Sequence, residues 1–382
     1  MAFQDLRAQG KRMSFDARIK HMGEFSLDLK FSAGVWFFAP GGGRFHDKYV
    51  EKYTMEEIME IAAGLRKYGL CGLEAHYPNE VSEDNLDLWK QFIRDTGVRL
   101  VMLAPNIFFE AQYEFGALSS PIPKARRSAI KRATRTLAIS KELDVDIVVT
   151  WPGIDGYENP FGVDLQAARH RFCTGLAEAM DAVPGVRVAE EPKPYEPRGH
   201  ILYGTTPEAL LMCQKTEGLL KNPKNQRLLK QGHAMLGMNP EVGHVLMGFE
   251  DLPNALGLIM EYGRLAHTHW NAQPLGNYDQ DLNVGVVAPE QAEAGLYALK
   301  MYGYQGYFGM DINPERMPVD RALINCMDAL KAMNDRIDSL DHEAVLWATE
   351  NPDKARGYIE ALLLRARYPK AKGLSPMMRL KR

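Results

Sequence analysis

Seven side chains in this sequence have the types and spacing to hold divalent cations: Glu191, Glu241, His244, His269, Asp279, Asp281 and Asp311. Five carboxylates and two imidazoles gathered in one cavity would repel one another strongly without counter-charge. Two divalent cations would supply it, and carboxylate and imidazole without thiolate favour Mg²⁺, Mn²⁺ or Co²⁺ over a structural zinc. Glu191 opens the stretch Glu191-Pro192-Lys193-Pro194-Tyr195-Glu196-Pro197-Arg198-Gly199, which follows an apolar run, Val186 to Ala189. Proline cannot continue a strand ladder, so the run should end here, with a carboxylate and the Lys193 ammonium held side by side on stiff backbone.

These groups need elements that aim them at one point. Apolar runs of strand length occur at Ser32–Phe38, Gly72–Ala75, Arg99–Ala104, Asp146–Thr150, Val186–Ala189, Met235–Asn239, Leu265–Trp270 and Tyr307–Met310. Between them lie amphipathic stretches of helical length, among them Met55–Lys67, Asn85–Thr96, Lys124–Leu143, Ala167–Ala182 and Glu290–Met301. Eight strands alternating with helices predict an α/β fold, a (β/α)8 TIM barrel. A doubly wound sheet is disfavoured because no dinucleotide-type glycine fingerprint opens the first turn; Gly41-Gly42-Gly43 lacks that spacing and reads as a lid.

Trp36, His76, Asn106, Trp151, Glu191, Glu241, His269 and Asp311 fall at or just past the C-terminal limits of these runs. In a barrel those limits converge on one mouth, where the chemistry of this architecture sits.

The rest of the chain bounds the answer. Its 382 residues include 46% hydrophobic and 25% charged residues, with a net charge of −3 that points neither to nucleic acid nor to a membrane surface. Cys71, Cys173, Cys213 and Cys326 show no metal or redox spacing and read as free thiols. With a polar start from Met1 to Lys20 and no transmembrane-length run, the chain is expected to be cytoplasmic. The domain reading is an N-terminal extension (1–30), a barrel catalytic domain (31–334) and a C-terminal helical arm (335–382). Such an arm is expected to pack on another subunit of a homo-oligomer, a dimer or a homotetramer.

From about Phe31 to Pro314 the chain resembles xylose isomerases of the shorter, actinobacterial-type class. The resemblance rests on Glu191-Pro192-Lys193-Pro194 with Glu196-Pro197-Arg198-Gly199, on Asn239-Pro240-Glu241-Val242-Gly243-His244 and on Tyr278-Asp279-Gln280-Asp281-Leu282. Asn106-Ile107-Phe108 is a looser match. The resemblance implies one metal site of Glu191, Glu241, His269 and Asp311, and a second of Glu241, His244, Asp279 and Asp281. It also implies His76, Lys193 and Asp281 as catalytic residues, with Lys193 on the sugar's carbonyl oxygen and His76 in ring opening. Trp36, Phe108, Trp151 and Asn106 would contact the substrate. The implied reaction is interconversion of an open-chain aldose and ketose by a metal-assisted 1,2-hydride shift. An ene-diol route with His76 or Glu80 as base stays open.

Four departures accompany the match, one of them Thr150-Trp151-Pro152-Gly153 in place of a more glycine-rich turn. His269 stands where the xylose enzymes carry an aspartate ligand, an exchange similar to that of rhamnose isomerases. Asn79 replaces an aspartate that orients the ring-opening histidine, with Glu80 adjacent. Ala104-Pro105 replaces a threonine pair near the pocket. The alternative reading is a metal-dependent sugar epimerase or lyase of the same barrel superfamily, acting on a modified or keto-sugar through one metal and a base.

Overall fold

In the computed structural model, which describes residues 4–38, 52–314 and 317–380, the apolar runs form eight parallel strands. They are β1 (Lys30–Gly34), β2 (Leu70–Tyr77), β3 (Arg99–Pro105), β4 (Ile147–Thr150), β5 (Val188–Glu190), β6 (Leu236–Met238), β7 (His269–Trp270) and β8 (Tyr307–Met310). Their order around the sheet is β6-β5-β4-β3-β2-β1-β8-β7. Isolated parallel bridges, Met238 to Leu265 and Glu241 to His269, join β6 to the β7 segment and close the ring. The (β/α)8 barrel expected from the alternation is therefore formed, and the Gly41-Gly42-Gly43 loop lies outside the described residues.

Helices follow the strands and cover the barrel. Met55–Leu65 starts at a capping box in which Thr54 and Glu57 satisfy each other's free backbone N–H groups, and Leu165–Ala182 starts on the Asp164 carboxylate. The largest apolar cluster lies between sheet and helices. A smaller one, with Met102, Ala104, Ile147, Val149, Ala189 and Ala266, fills the barrel interior, and Leu6 joins it from the N-terminal segment. That segment is stapled in place: Gln9 Nε2 donates to Leu265 O (3.0 Å), and Gly10 turns with φ 61° where a Cβ would lie 2.1 Å from Met260 O.

Two strands differ from their sequence reading. The first ends at Gly34, and Val35–Phe38 coils into a 3₁₀ turn. A Cβ at residue 34 would lie 2.3 Å from the Trp36 indole, so glycine is what lets the ring tuck back over the strand end. The seventh is regular only at His269–Trp270, because the N–H groups of Ala266 and His267 both donate to Met238 O (3.0 and 3.3 Å), which breaks the ladder as a bulge does.

Past the last barrel strand, helix Val319–Asp338 packs on the barrel, and two further helices, His342–Glu350 and Tyr358–Arg367, follow. The latter two carry their own apolar cluster around Ala344, Ala348, Ala355 and Tyr358.

Candidate metal centre

Glu191, Glu241 and Asp311, just past the ends of β5, β6 and β8, and His269, the first residue of β7, meet at the same mouth. Each offers a ligand atom, and the four atoms lie within 4.8 Å of one another. His269 Nδ1 stands 2.9 Å from Glu191 Oε2, 3.4 Å from Asp311 Oδ2 and 4.0 Å from Glu241 Oε2. Glu241, His244 and Asp279 form a second group within the same limit, with His244 Nε2 at 3.3 Å from Glu241 Oε1 and 3.4 Å from Asp279 Oδ2. Glu241 thus turns Oε2 to one group and Oε1 to the other.

Asp281, expected in the second group, stands just outside it. Its Oδ1 accepts from Asn271 Nδ2 (2.8 Å), the same amide nitrogen that donates to Glu241 Oε1 (2.8 Å). Asn271 Oδ1 in turn accepts from the Gly243 N–H (2.8 Å), where a Cβ would lie 3.0 Å from that oxygen. Asn239 plays the matching part for Glu191, donating to Oε2 at 2.6 Å. The two asparagines hold the carboxylates in orientation without adding charge.

The residues fit divalent cations. His269 Nδ1 and Asp279 Oδ1 are buried and make no hydrogen bond, and buried polar atoms of that kind call for a partner. The charge distribution calls for one too. Burial, then Asp279, Asp281, Asp311 and Glu191, push Glu241 well above the usual carboxylate range. Burial and the neighbouring Asp279 and Asp311 do the same to Asp281, and Asp311 is raised to about 6, chiefly by burial with Glu191 adding. Burial opposes the ionised forms of Glu191 and His269 as well, but the attraction between them outweighs it, lowering the first and raising the second. Protons on this cluster stand where cations would bind.

One layer deeper lies a side chain that the strand-end reading passed over. Glu74, fully buried on β2, accepts from Ser32 Oγ and faces the Nε2 atoms of His267 and His269. It shares a strand face with His76 two residues on, and that alternation was the available signal.

Lys193 is buried and donates to Asp279 Oδ2 at 2.7 Å, with Glu196 Oε2 at 3.7 Å. Burial disfavours its charge, but Asp279, Glu241 and Glu196 overcome this, so the ammonium is retained. The opposite wall is an aromatic chain in which successive ring centroids are 4.6 Å (Trp36 to His76), 5.7 Å (His76 to Phe108) and 4.7 Å (Phe108 to Trp151) apart. Trp36 Nε1 donates to Asp311 Oδ1 (2.9 Å), tying the wall to the carboxylates. The cavity between measures about 450 Å³ and is also lined by Met102, Ala104 and Val149.

Two assignments around His76 change places. Glu80, through Oε2, approaches His76 Nδ1 at 3.2 Å and accepts from the His76 backbone N–H at 2.7 Å. Asn79 instead accepts from Asn106 Nδ2 at 2.6 Å. Asn106, expected to touch substrate, uses its other amide atom on the N–H groups of Phe108 and Phe109, and it does not line the cavity. It shapes the wall from behind because the turn after β3 needs those donors satisfied.

A wider hollow of about 1220 Å³ lies between the N-terminal segment and helices Leu252–Glu261 and His342–Glu350. Arg18 and Glu350 pair there at 3.0 Å beside Lys11, Arg12 and Glu261, and among the described residues no group of metal-type ligands opens on it. The smaller cavity is where ligating, cationic and apolar groups meet.

Comparison with known proteins places the fold. The chain is 25% identical over 294 residues to the xylose isomerase of Thermus thermophilus, covering 73% of this chain and 70% of that protein. It is 28% identical over 291 residues to the xylose isomerase of Thermus caldophilus, covering 72% and 70%. Among solved structures it is similar in fold to a D-tagatose 3-epimerase-like protein (TM-score 0.58, 16% identity, 81% of this chain and 100% of that one). It is also similar to a 3-keto-D-glucoside 4-epimerase of E. coli (TM-score 0.55, 16% identity, with the same coverage). Residues 62–333 match the model of the xylose isomerase-like TIM barrel family, and the chain belongs to that family.

Proposed function

We propose that the protein is a divalent-metal-dependent aldose–ketose isomerase acting on an uncharged sugar. The observation that carries this reading is Glu241, whose two oxygens face two separate ligand groups across one cavity. Glu191, Glu241, His269 and Asp311 would hold one cation, and Glu241, His244 and Asp279 the other, with Asp281 completing the second set. Cations such as Mg²⁺, Mn²⁺ or Co²⁺ supply Lewis-acid polarisation of sugar oxygens when bound.

The chain's own residues do the rest. Lys193 Nζ donates to the carbonyl oxygen at the sugar's first carbon and stabilises the negative charge that gathers there. A hydrogen moves with its electron pair from the second carbon to the first, the second carbon's hydroxyl gives up its proton, and the former carbonyl oxygen gains one. Trp36, Phe108 and Trp151 exclude water, which strengthens each electrostatic contact and keeps the migrating hydrogen from exchange. His76, aligned by Glu80, assists ring opening. The only lysine or arginine lining the cavity is Lys193, already paired with Asp279, so a phosphorylated or carboxylated sugar meets no free cationic side chain among the described residues.

A second reading, epimerisation with one cation and His76 as base, is favoured by one observation, the position of Asp281 outside the second ligand group. The deciding experiment is metal removal followed by reconstitution with Mg²⁺, Mn²⁺ or Co²⁺. A panel of aldopentoses, aldohexoses and deoxysugars in deuterated water is then scored for ketose and for carbon-bound deuterium. Ketose without deuterium is expected. Two bound cations with no turnover of any free aldose would overturn the isomerase, and deuterium uptake with inversion at one carbon would establish the epimerase.

A further inference from the structure

Resting on the metal assignment above, we propose that Glu74 is a positioning residue for the first cation: it fixes His269 so that Nδ1 is the ligating nitrogen, and it supplies from behind the negative charge that a histidine ligand lacks.

The geometry is a closed set of hydrogen bonds. Glu74 Oε2 lies 2.7 Å from His269 Nε2, and Glu74 Oε1 lies 2.9 Å from His267 Nε2 and 2.5 Å from Ser32 Oγ. An ionised carboxylate only accepts, so these contacts place a hydrogen on Nε2 of each ring and on the serine hydroxyl. With Nε2 committed to Glu74, His269 turns Nδ1, and not Nε2, toward the first ligand group. Nδ1 is buried, makes no hydrogen bond and faces Glu191, Asp311 and Glu241.

The packing around Glu74 is specific to it. Gly309 of β8 pairs with both His269 and Ser32, and a Cβ there would lie 2.4 Å from Glu74 Oε1 and 2.9 Å from His267 Nε2. Glycine on β8, serine on β1, glutamate on β2 and histidines leading into β7 therefore form one layer directly beneath the first ligand group. A carboxylate behind a ligating imidazole fixes the ring's orientation and raises its basicity, and loss of such a partner costs about 10–100-fold in metal affinity. Glu74 touches no substrate; it acts through His269.

The test is Co²⁺ binding to the full-length protein, by competition with a chromophoric chelator and by the visible spectrum of the bound ion. In Glu74→Gln, one of the two binding steps should weaken by about 10–100-fold and its spectrum should shift, while the other step holds. In His269→Asp, whose ligand carries its own charge, adding Glu74→Gln should change that step by less than about 3-fold, since the two positions are coupled through one contact. Unchanged affinity and spectrum in Glu74→Gln would overturn the proposal, as would equal losses in both backgrounds, which mark a purely structural role. The near-isosteric Gln keeps the fold where Glu74→Ala fails. Two Co²⁺ bound with no ketose formed would sink the isomerase while leaving this measurement intact. Wild-type protein that binds no Co²⁺ would overturn both.

Discussion

Glu241 is the side chain on which both ligand groups depend, so its substitution reaches further than that of any neighbour. Glu241→Gln keeps the shape and removes the charge that the two groups share. Since losing even an outer partner of a metal ligand costs about 10–100-fold, loss of this one is expected to lower metal affinity at both sites and to cut kcat/KM by more than about 100-fold. Calorimetry of Co²⁺ binding beside a ketose assay checks it; full affinity at either site would contradict the bridging role. The charge cluster also sets a pH dependence. Asp311 is raised to about 6 by burial with Glu191 adding, and Glu241 and Asp281 are raised well above the usual carboxylate range by burial and their acidic neighbours. A carboxylate whose folded pKa lies above its unfolded value stabilises the fold less as pH rises through the folded pKa, because ionisation is then easier in the unfolded chain. The metal-free protein should therefore lose stability from about pH 4 to about pH 6 through Asp311, and bound cations should restore it. The metal-induced rise in Tm is expected to be larger at about pH 7.5 than at about pH 5. Equal shifts at both would show that these carboxylates do not meet the cations.

At the scale of elements, β6 meets the segment leading into β7 through isolated bridges in place of a continuous ladder. A side-chain clamp reinforces that seam from below. Arg264 Nη1 donates to Leu236 O (2.6 Å) and to Glu217 Oε1 (3.0 Å), and Nη2 to Glu217 Oε2 (2.6 Å). Glu217 Oε1 also accepts the N–H groups of Met235 and Leu236 (2.7 and 2.9 Å). Glu217→Ala leaves a buried guanidinium without its partner and two backbone donors unsatisfied, a loss of about 3–5 kcal/mol by analogy with other broken buried pairs. Urea unfolding measures it. A change below about 1 kcal/mol, the range of exposed ion pairs, would show that the clamp does not carry the seam.

At the scale of the whole molecule, the C-terminal segment carries a run of exposed apolar side chains. Leu363, Leu364, Tyr368, Leu374 and Met378 are exposed there. The tail is held to the body by ion pairs such as Arg18 to Glu350 (3.0 Å) and Arg367 to Glu293 (2.9 Å). Apolar surface of this kind matches an arm that packs on a second copy of the chain. Removing residues 341–382 is expected to leave a folded barrel and to lower the oligomeric state, read by light scattering coupled to size exclusion. A full-length chain that runs as a monomer would remove the arm's proposed role.

What could be read from the sequence alone follows from periodicity and from chain direction. Apolar runs alternating with helical stretches imply a parallel barrel, and in such a barrel polar residues at the C-terminal limits of the runs converge on one mouth. That reasoning brings Trp36, His76, Trp151, Glu191, Glu241, His269 and Asp311 to one mouth, while Phe108 entered only through the family resemblance. It could not see Glu74, which is one polar residue inside an apolar run; only the curvature that brings β2 within reach of β7 shows that its charge meets two imidazoles. Nor could it separate Asn106 from the wall residues, because strand position says where a Cα lies and not which N–H groups its amide must satisfy. Residue types set which cations the site suits. Tertiary structure decided which Glu241 oxygen faces which ligand group, since that depends on distances of a few ångströms across strands far apart in the chain, and that Glu80 rather than Asn79 lies against His76, since that depends on how the turn after β2 folds back.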